Sequence, residues 1–372
     1  MKKRSIISVL VATVILAAGC TFEPQLWLRT VVNAVIAMQA KININILWQV
    51  NWEAKWTYRW DVSVNGPLGY VEPEGMRVHV YHIDASGEHK NHSEINFYGN
   101  TADIPVFYGT YDLLFHNNDS DVLLFRSAEG SDEIESYTRI FSRGLRESAP
   151  VLTPSQKEAV RSEVKAPDEE PVALMPDGLF ALYDRKHVIT DNLTEYDFVD
   201  GKYVIRIEGE LNPRTYIYLI QVHLLNNGDR VIGSPSGAAV TGMAEGVNLC
   251  TGISSSTTVS VPMEVLFDAE KDMFGAKMYT FGIPGCDPYD AGSVAASDSK
   301  HFLVLNVMYG NGTYKNIRTE ITDQIRALPL GGVVTVELDV NDFPPEGGSA
   351  GGGFNALIDE WDEEVGGTTV IN

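Results

Sequence analysis

Residues 41–52 read KININILWQVNW, and apolar and polar side chains alternate along this stretch. Every even-numbered residue from 42 to 52 is isoleucine, valine or tryptophan, whereas the odd-numbered residues are polar with the single exception of Leu47. An alternation of period 2 over this length is typical of a β-strand with one buried face. The stretch therefore predicts an all-β fold, and we expect the strand pattern to continue over residues 57–64.

Further short apolar segments follow in the first half of the chain. Turn signals separate them, among them Asp84-Ala85-Ser86-Gly87 and Asn117-Asn118-Asp119. Several short strands with frequent turns are typical of a β-sandwich. We predict strands at residues 75–81, 94–98, 102–106, 109–116 and 122–126.

A polar segment then interrupts the strand pattern. Thr153-Pro154-Ser155 is a typical helix start, and residues 156–165 are predicted to form a short polar helix. Residues 167–171 are acidic and bounded by prolines, and we place a domain boundary there. Residues 320–328 are compatible with either a loop or a helical turn. Beyond the boundary we predict strands at residues 202–208, 215–225, 230–232, 257–267, 278–281, 301–307 and 332–340.

The predicted architecture is two tandem β-sandwich domains, at residues 41–166 and 172–343. A chain of 372 residues is long for one hydrophobic core, which favours two domains. Residues 344–372 form a separate tail, in which Gly351-Gly352-Gly353 predicts a flexible linker before a terminal segment. The apolar residues of 354–365 match helical spacing, and a terminal strand is the competing interpretation.

Residues 1–19 have the layout of a secretory signal peptide. Three cationic residues precede an apolar run that is too short to span a bilayer, and small residues lead to Cys20. The sequence before Cys20 resembles the bacterial lipobox, although Ala17 stands where leucine is usual. This resemblance implies acylation of Cys20 and a lipid-anchored segment over residues 20–40. An ordinary cleaved signal with an incidental cysteine is the alternative. In bacterial lipoproteins an aspartate after this cysteine often means retention at the inner membrane. Thr21 follows Cys20 here, which is compatible with transport to the outer membrane.

Charge and cysteine content limit the partners of the chain. The formal net charge of -22 opposes contact with a phosphate backbone, so we expect no nucleic-acid partner. Cys250 and Cys286 are the other two cysteines, and an exported protein can join such a pair in a disulfide. Two buried thiols are the alternative. No zinc-type cysteine spacing and no lysine-bearing phosphate loop is present, and we expect no cofactor.

The residues that carry catalytic or metal chemistry elsewhere are not arranged for it in this sequence. His79 and His82 differ by three positions, so they point to opposite faces of a strand, and His89 and His92 fall in a predicted polar loop. We therefore expect no metal site. At residues 233–237, Pro235 occupies the position that a nucleophilic serine needs, which predicts a turn. The chain is predicted to have no catalytic residue and not to be an enzyme.

Four short motifs resemble those of the fimbrillin-like surface lipoproteins of Bacteroidales. They are PEGMRV at 73–78, GTYDLLFHNND at 109–119, TGMA at 241–244 and GGGFNALIDEW at 351–361. The resemblance implies two β-sandwich domains of transthyretin-like, Greek-key type, a lipid anchor and a glycine-rich C-terminal extension. It also implies a fimbrial anchor, tip or accessory subunit without catalytic residues.

These observations predict a lipid-anchored surface protein of the outer membrane that acts in fimbrium assembly or adhesion through β-strand complementation. The expected partners are the membrane, through the N-terminal lipid, and fimbrial subunits or a ligand on a host or bacterial surface. The segment after Gly353 is a candidate donor strand, and folding back onto its own domain is the alternative. Surface glycan binding is the alternative function, with Trp56 and Trp60 as aromatic contacts. Their shared parity with Trp48 and Trp52 favours a buried face instead.

Overall fold

Strands make up most of the part of the chain that the structure describes. The computed structural model describes residues 36–44, 55–127, 134–141, 170–235, 237–345 and 368–369. The strands are β1 (Ile36–Ile44), β2 (Gly75–Ile83), β3 (His89–Tyr98), β4 (Thr101–Val106), β5 (Gly109–Asn117), β6 (Leu123–Ser127), β7 (Ile134–Thr138), β8 (Ile140–Phe141), β9 (Val172–Ala173), β10 (Phe180–Ile189), β11 (Asp197–Val199), β12 (Lys202–Pro213), β13 (Tyr216–Leu225), β14 (Val231–Gly233), β15 (Ala238–Ala244), β16 (Gly246–Asn248), β17 (Thr258–Met263), β18 (Leu266–Asp268), β19 (Met273–Thr280), β20 (Phe302–Tyr309), β21 (Tyr314–Glu320), β22 (Gly332–Asp339) and β23 (Thr368–Thr369). The helices are α1 (Val62–Asn65), α2 (Ala291–Ala295) and α3 (Thr322–Ala327), with a 3₁₀ turn at Leu193–Glu195. The predicted all-β class is confirmed.

The first sandwich is one continuous sheet that bends around an apolar core. Its strand order is β3-β2-β5-β10-β12-β1-β4, and β11 also pairs with β12. β12 pairs with β1 along most of its length and with β10 only at Asn212 and Pro213, so the sheet turns there. The two halves enclose a core that includes Met38, Ile104 and Phe115. Strands β3 and β4, at opposite ends of the order, are joined by residues 99–100.

The strand that contains the start of the KININILWQVNW stretch lies inside this sheet. β1 begins at Ile36, pairs parallel with β12 and antiparallel with β4, and ends at Ile44. Ile36, Met38 and Ala40 are buried and Lys41 is exposed, as the even-numbered parity predicts. Residues 36–40 are therefore part of the sandwich, which differs from their predicted place in an N-terminal segment over 20–40. Residues 45–52 lie outside the described residues.

The predicted strand over residues 57–64 is wrong. This segment is irregular and ends in helix α1, which Asp61 caps by accepting a hydrogen bond from the backbone N–H of Ser63. Its backbone is engaged by the second half of the chain instead of by a sheet neighbour. Gln221 accepts from the N–H of Thr57 and donates to the carbonyl of Lys55. The segment thus follows a tertiary contact that the local parity does not encode.

The second sandwich packs two sheets on a larger core. One sheet has the order β18-β19-β13-β22-β23, and the other has β14-β20-β15-β17-β9-β8 with β21 on β20. Between them lie Tyr218, Phe274 and many aliphatic side chains. Strand β13, predicted from its nearly continuous apolar run, lies in the middle of its sheet and is buried on both faces. Of the two alternatives for residues 320–328, the helical one is confirmed as α3.

The division between the sandwiches differs from the predicted one at residues 167–171. Strands β10, β11 and β12 follow that point in sequence, yet they pair in the first sandwich, with β5 and β1 as partners. The pairing of β12 with β1 joins residues far apart in the chain. The composition of residues 167–171, on which the predicted boundary was based, gives no information about such a pairing. The predicted helix over 156–165 lies outside the described residues.

A small third sheet joins the two sandwiches. Its order is β16-β7-β6. An apolar cluster at this junction brings Tyr81 and Leu114 of the first sandwich together with Val247 and Phe281 of the second. One face of strands β2 and β5 therefore looks toward the junction, while their other face lines the core of the first sandwich.

The tail returns to the second sandwich at its end. Thr368 and Thr369 form β23, which pairs antiparallel with Glu337 and Val336 of β22. The predicted linker and the segment 354–365 lie outside the described residues. Among the helices of the described ranges, none has the length and apolar character needed to cross a membrane.

Candidate functional site

A row of histidines lies across the outer face of the first sandwich. Alternation along β2 sends Val78 and Val80 into the core and His79 and Tyr81 to the opposite face. The antiparallel register then places Glu94 opposite His79 and His92 opposite Tyr81. The expectation that His89 and His92 lie in a loop is wrong, because both belong to β3. The spacing of His79 and His82 predicted only how these two side chains are separated on β2. It did not predict that His92 and Glu94 of the neighbouring strand lie beside His79.

The imidazoles form a chain of hydrogen bonds whose proton positions follow from its buried end. His116 Nδ1 lies 2.8 Å from the carbonyl oxygen of Asn117 and must donate to it, which leaves His116 Nε2 as an acceptor. His79 Nε2 lies 3.0 Å away and donates to that nitrogen. His79 Nδ1 is then an acceptor, and His92 Nε2 donates to it across 3.1 Å.

Burial keeps the inner histidines neutral. Desolvation lowers the pKa of His79 to about 4, although the nearby Glu94 carboxylate opposes this shift. Desolvation lowers the pKa of His116 to about 3, and His79 adds to the effect. Glu94 Oε1 stands at the outer end of the chain, 3.6 Å from His79 Nδ1 and 3.8 Å from His92 Nε2. The row therefore offers unprotonated nitrogen beside a carboxylate at the surface.

A second polar network centres on Asp112 of β5. The carboxylate is buried and accepts hydrogen bonds from His89 Nε2, the Tyr183 hydroxyl and the backbone N–H of Lys186. Burial alone would raise the pKa of Asp112. The hydrogen bonds from His89, Lys186 and Tyr183 together lower it by more, so the net pKa is below the ordinary value. The contact to Lys186 is made at an irregularity in the β5–β10 pairing. This network explains why the GTYDLLFHNND motif has an aspartate within an otherwise apolar strand.

An aromatic cleft opens where β4 ends and β5 begins. It has a volume of about 520 Å³, and Val80, His82, Asn91 and Tyr111 contribute to its lining. Phe107 and Tyr108 line the same cleft and remain 58% and 49% exposed. The Tyr111 hydroxyl accepts from the N–H of Phe107 and donates to its carbonyl, which holds the loop in place. Exposed rings beside polar groups are suited to stacking on a ligand.

The outer edge of β22 is a third feature with binding potential. The N–H and carbonyl of Thr335 point away from β13, because Gln324 of α3 bonds both of them. By the period of a strand, the corresponding groups of Glu337 point the same way, and β23 pairs at this residue. β23 covers two residues of β22, whereas β22 extends from Gly332 to Asp339. Most of this edge thus has no strand partner within the described residues.

The other residues singled out in the sequence have varied positions. Cys20, Trp48 and Trp52 lie outside the described residues. Cys250 is half-buried and Cys286 is buried; both are thiols in the structure, and their disulfide stays a prediction. Within the segment expected to turn, the N–H of Gly237 donates to the carbonyl of Ser234, as in a turn.

The tryptophans of residues 56–60 do not share one strand face. Trp56 packs on Ile217 and Leu219 of the second sandwich. The ring of Trp60 meets that of Trp56 edge-on, and its Nε1 donates to the carbonyl of Gly66. The packing interpretation is therefore right for Trp56, although the partner is another sheet. The exposed aromatic pair of the molecule's cleft, Phe107 and Tyr108, was not singled out in the sequence, where no periodicity marks a loop.

The fold and these surface features define a tandem β-sandwich protein. The chain belongs to the family described as Domain of unknown function (DUF5119), whose model matches residues 65–264. No curated protein matches the chain.

Several solved structures are similar to the chain over most of its length. A proposed adhesin from Bacteroides ovatus is 16% identical, with a TM-score of 0.48 over 85% of this chain and 95% of that one. The fimbrial anchor protein Mfa2 from Porphyromonas gingivalis is 10% identical, with a TM-score of 0.42 over 82% of this chain and 90% of that one. A fimbrial assembly protein from Parabacteroides distasonis is 10% identical, with a TM-score of 0.34 over 82% and 90% of the two chains.

Proposed function

We propose that the protein is a non-enzymatic, lipid-anchored protein of the bacterial cell surface that acts in fimbrium assembly or adhesion. The signal-like residues 1–19 and Cys20 support the anchor, since acyl chains at that cysteine would hold the domains at the outer membrane. The motifs at 109–119 and 351–361, which resemble those of fimbrillin-like lipoproteins, support the role in assembly.

The observation that carries the proposal is the edge of β22. A strand edge with outward N–H and carbonyl groups is a template for an extended segment. Within the described residues, β23 occupies this edge at Val336 and Glu337, and the Gln324 side chain bonds the outward groups of Thr335. A longer segment from a neighbouring subunit would form more backbone hydrogen bonds along β22 and would displace both β23 and the Gln324 side chain. The tail then acts as a placeholder, which reconciles the two predicted alternatives for the segment after Gly353.

A proline substitution in β22 tests this edge. Glu337→Pro removes the outward N–H while leaving the bonds between β22 and β13 in place, and Glu337→Ala is the matched control that keeps the N–H. We expect fimbrial subunits to copurify from solubilised envelopes with the wild type and with Glu337→Ala, and not with Glu337→Pro. Copurification that survives the proline variant would refute strand complementation at β22.

Removal of the tail separates a placeholder from a donor. Deletion of residues 347–372 should leave β22 vacant and should strengthen the capture of subunits if the tail is a placeholder. A loss of capture would instead identify the tail as a donor strand. For the anchor, Cys20→Ala should release the protein from the envelope, and mass spectrometry should find acyl chains on the wild type only.

Glycan binding in the aromatic cleft is the second candidate function. Phe107 and Tyr108 favour it because they are exposed beside polar groups of a defined cleft. Replacing both with alanine should abolish binding to any polysaccharide that the wild type retains in a panel. Phe198→Ala is the matched control, since Phe198 is 66% exposed on β11, away from the residues that line the cleft. Equal binding by the double variant would exclude the cleft.

A further inference from the structure

We propose that His79, His92 and Glu94 form a binding site for Zn²⁺ on the edge strand pair β2–β3. The three side chains offer two imidazole nitrogens and one carboxylate oxygen, and these atoms all lie within 4.8 Å of one another. Two histidines and one glutamate are a donor set that zinc takes in proteins. Imidazole donors favour zinc and its transition-metal neighbours over calcium and magnesium, which prefer oxygen.

The spacing of the donor atoms fits one small ion. Zinc bonds of about 2.0–2.2 Å in a tetrahedral site put neighbouring donors about 3.3–3.5 Å apart. The distances here are 3.1 Å between the two imidazole nitrogens, and 3.6 Å and 3.8 Å from Glu94 Oε1 to His79 and His92. Shifts of a few tenths of an ångström, mostly in exposed side chains, would complete the site.

The structure also holds the donors in the orientation that an ion requires. A histidine that binds a metal usually donates its other N–H to a fixed acceptor, which sets the tautomer. His79 has such a partner, because its Nε2 donates to His116, and His116 is itself held by the carbonyl of Asn117. Stacking fixes the second ring, since Tyr81 lies parallel to His92 at 4.4 Å.

The carboxylate is positioned by a neighbour of opposite charge. Arg77 Nη1 lies 3.3 Å from Glu94 Oε2, while Oε1 faces the two imidazoles. Binding requires that the proton on His92 Nε2 leave that nitrogen and that one be taken up at Nδ1, so the histidine stays neutral overall. The side chains of His92 and Glu94 are 41% and 45% exposed, so a fourth position remains open to water or to a donor from another chain.

Titration of the purified full chain without a histidine tag tests the site. After treatment with a chelator, calorimetry with ZnCl₂ should give one ion per chain, and Co²⁺ should give the visible absorption of a tetrahedral complex. His92→Asn and Glu94→Gln change exposed side chains on an edge strand, so the fold should survive. Each should weaken zinc binding by about tenfold or more. CaCl₂ should not bind these residues.

His187→Asn is the matched control. His187 Nδ1 lies 3.1 Å from Asp184 Oδ2, so it is another surface histidine–carboxylate pair, but it does not belong to the cluster of His79, His92 and Glu94. This variant should bind zinc as the wild type does. Wild-type binding by His92→Asn and Glu94→Gln, equal weakening by His187→Asn, calcium binding at the site, or no zinc binding would each overturn the proposal. None of these outcomes depends on the β22 edge.

Discussion

Strands β2 and β13 each lie between two neighbouring strands of a sheet, yet the side chains on their outer faces differ. On β13, Tyr218 and Ile220 face the core of the second sandwich, and Ile217 and Leu219 face the segment of residues 56–70 that covers the sheet from outside. On β2, Val78 and Val80 face the core, whereas His79 lies in the polar row on the other face. An outer face that another segment covers has apolar side chains, whereas an outer face near solvent has ionisable ones.

The comparison indicates a division of labour between the sandwiches. The second has apolar side chains on both faces of its central strand and presents a backbone edge at β22. The first leaves part of its outer face near solvent, and ionisable groups there are held by hydrogen bonds instead of by packing alone. Variants that act on one sandwich and spare the other can break or sharpen this contrast.

The largest effect should follow from shortening a side chain on the covered face of β13. Leu219 of β13 is fully buried beneath the segment of residues 56–70. Leu219→Ala should lower the free energy of unfolding by about 2–5 kcal/mol, because it leaves a cavity. Val188→Ala on β10, where the side chain is 61% exposed, should change it by less than about 0.5 kcal/mol. Urea denaturation measures both; similar small losses would show that this face of β13 is not a core.

Two glycines give the next contrast. Gly242, in the TGMA motif, has a φ of 77° at an irregularity in the β15–β17 pairing, and a Cβ there would lie 2.0 Å from the carbonyl oxygen of Lys300. Gly109 also has a positive φ, of 154°, but a Cβ there would meet the ring of His82 at 2.6 Å, and a side chain can move more easily than a backbone carbonyl. Gly242→Ala should cost about 2–3 kcal/mol, from left-handed strain and a displaced backbone. Gly109→Ala should cost less, and the reverse order in thermal melting would contradict this account.

Asp112 tests the polar side of the comparison. Asp112→Ala removes the carboxylate that accepts hydrogen bonds from the Tyr183 hydroxyl and the Lys186 N–H, and should cost about 1–3 kcal/mol at pH 7. The pKa of Asp112 is lower in the folded state than its unfolded value of about 3.9, so the unfolded chain binds more protons in acid. The stabilisation is therefore full above about pH 4 and is lost as the pH falls through the folded pKa.

Denaturation of the wild type and of Asp112→Ala across this pH range measures that contribution. The difference between the two should shrink below about pH 4. A difference that stays constant down to pH 2 would mean that the carboxylate charge does not stabilise the fold.

The smallest effect is expected at the surface of the third sheet. Arg126 bridges β6 and β7 through Nη2, 2.8 Å from Glu135 Oε2, with its side chain 49% exposed. Arg126→Ala should cost less than about 1 kcal/mol, because water and salt screen an exposed ion pair. A larger loss in urea denaturation would show that the junction between the sandwiches depends on this pair.

Prediction from sequence succeeded where the signal is local. The strands at β2, β5, β13 and β22 were marked by alternation or by a continuous apolar run, and the turn after β2 by Asp84 and Gly87. The strand β10 was missed, since Asp184, Arg185 and Lys186 interrupt the apolar pattern of FALYDRKHVI and an irregularity at residues 184–187 bends the strand. For the candidate metal site, His79 and His92 were noticed in the sequence. The alternation within one strand does not show how that strand aligns with its neighbour, so their proximity could not be predicted.

Sequence alone thus determined that the protein is built of strands and which residues of many strands face inward. These properties depend on the spacing of side chains along a short segment, where the period of the backbone is set by covalent geometry. Tertiary structure alone decided that β12 joins β1, that residues 56–70 cover the second sandwich, and that two histidines and a glutamate meet on one face. Those arrangements depend on which distant segments pair, and the free energy of such pairing comes from contacts that no single segment contains.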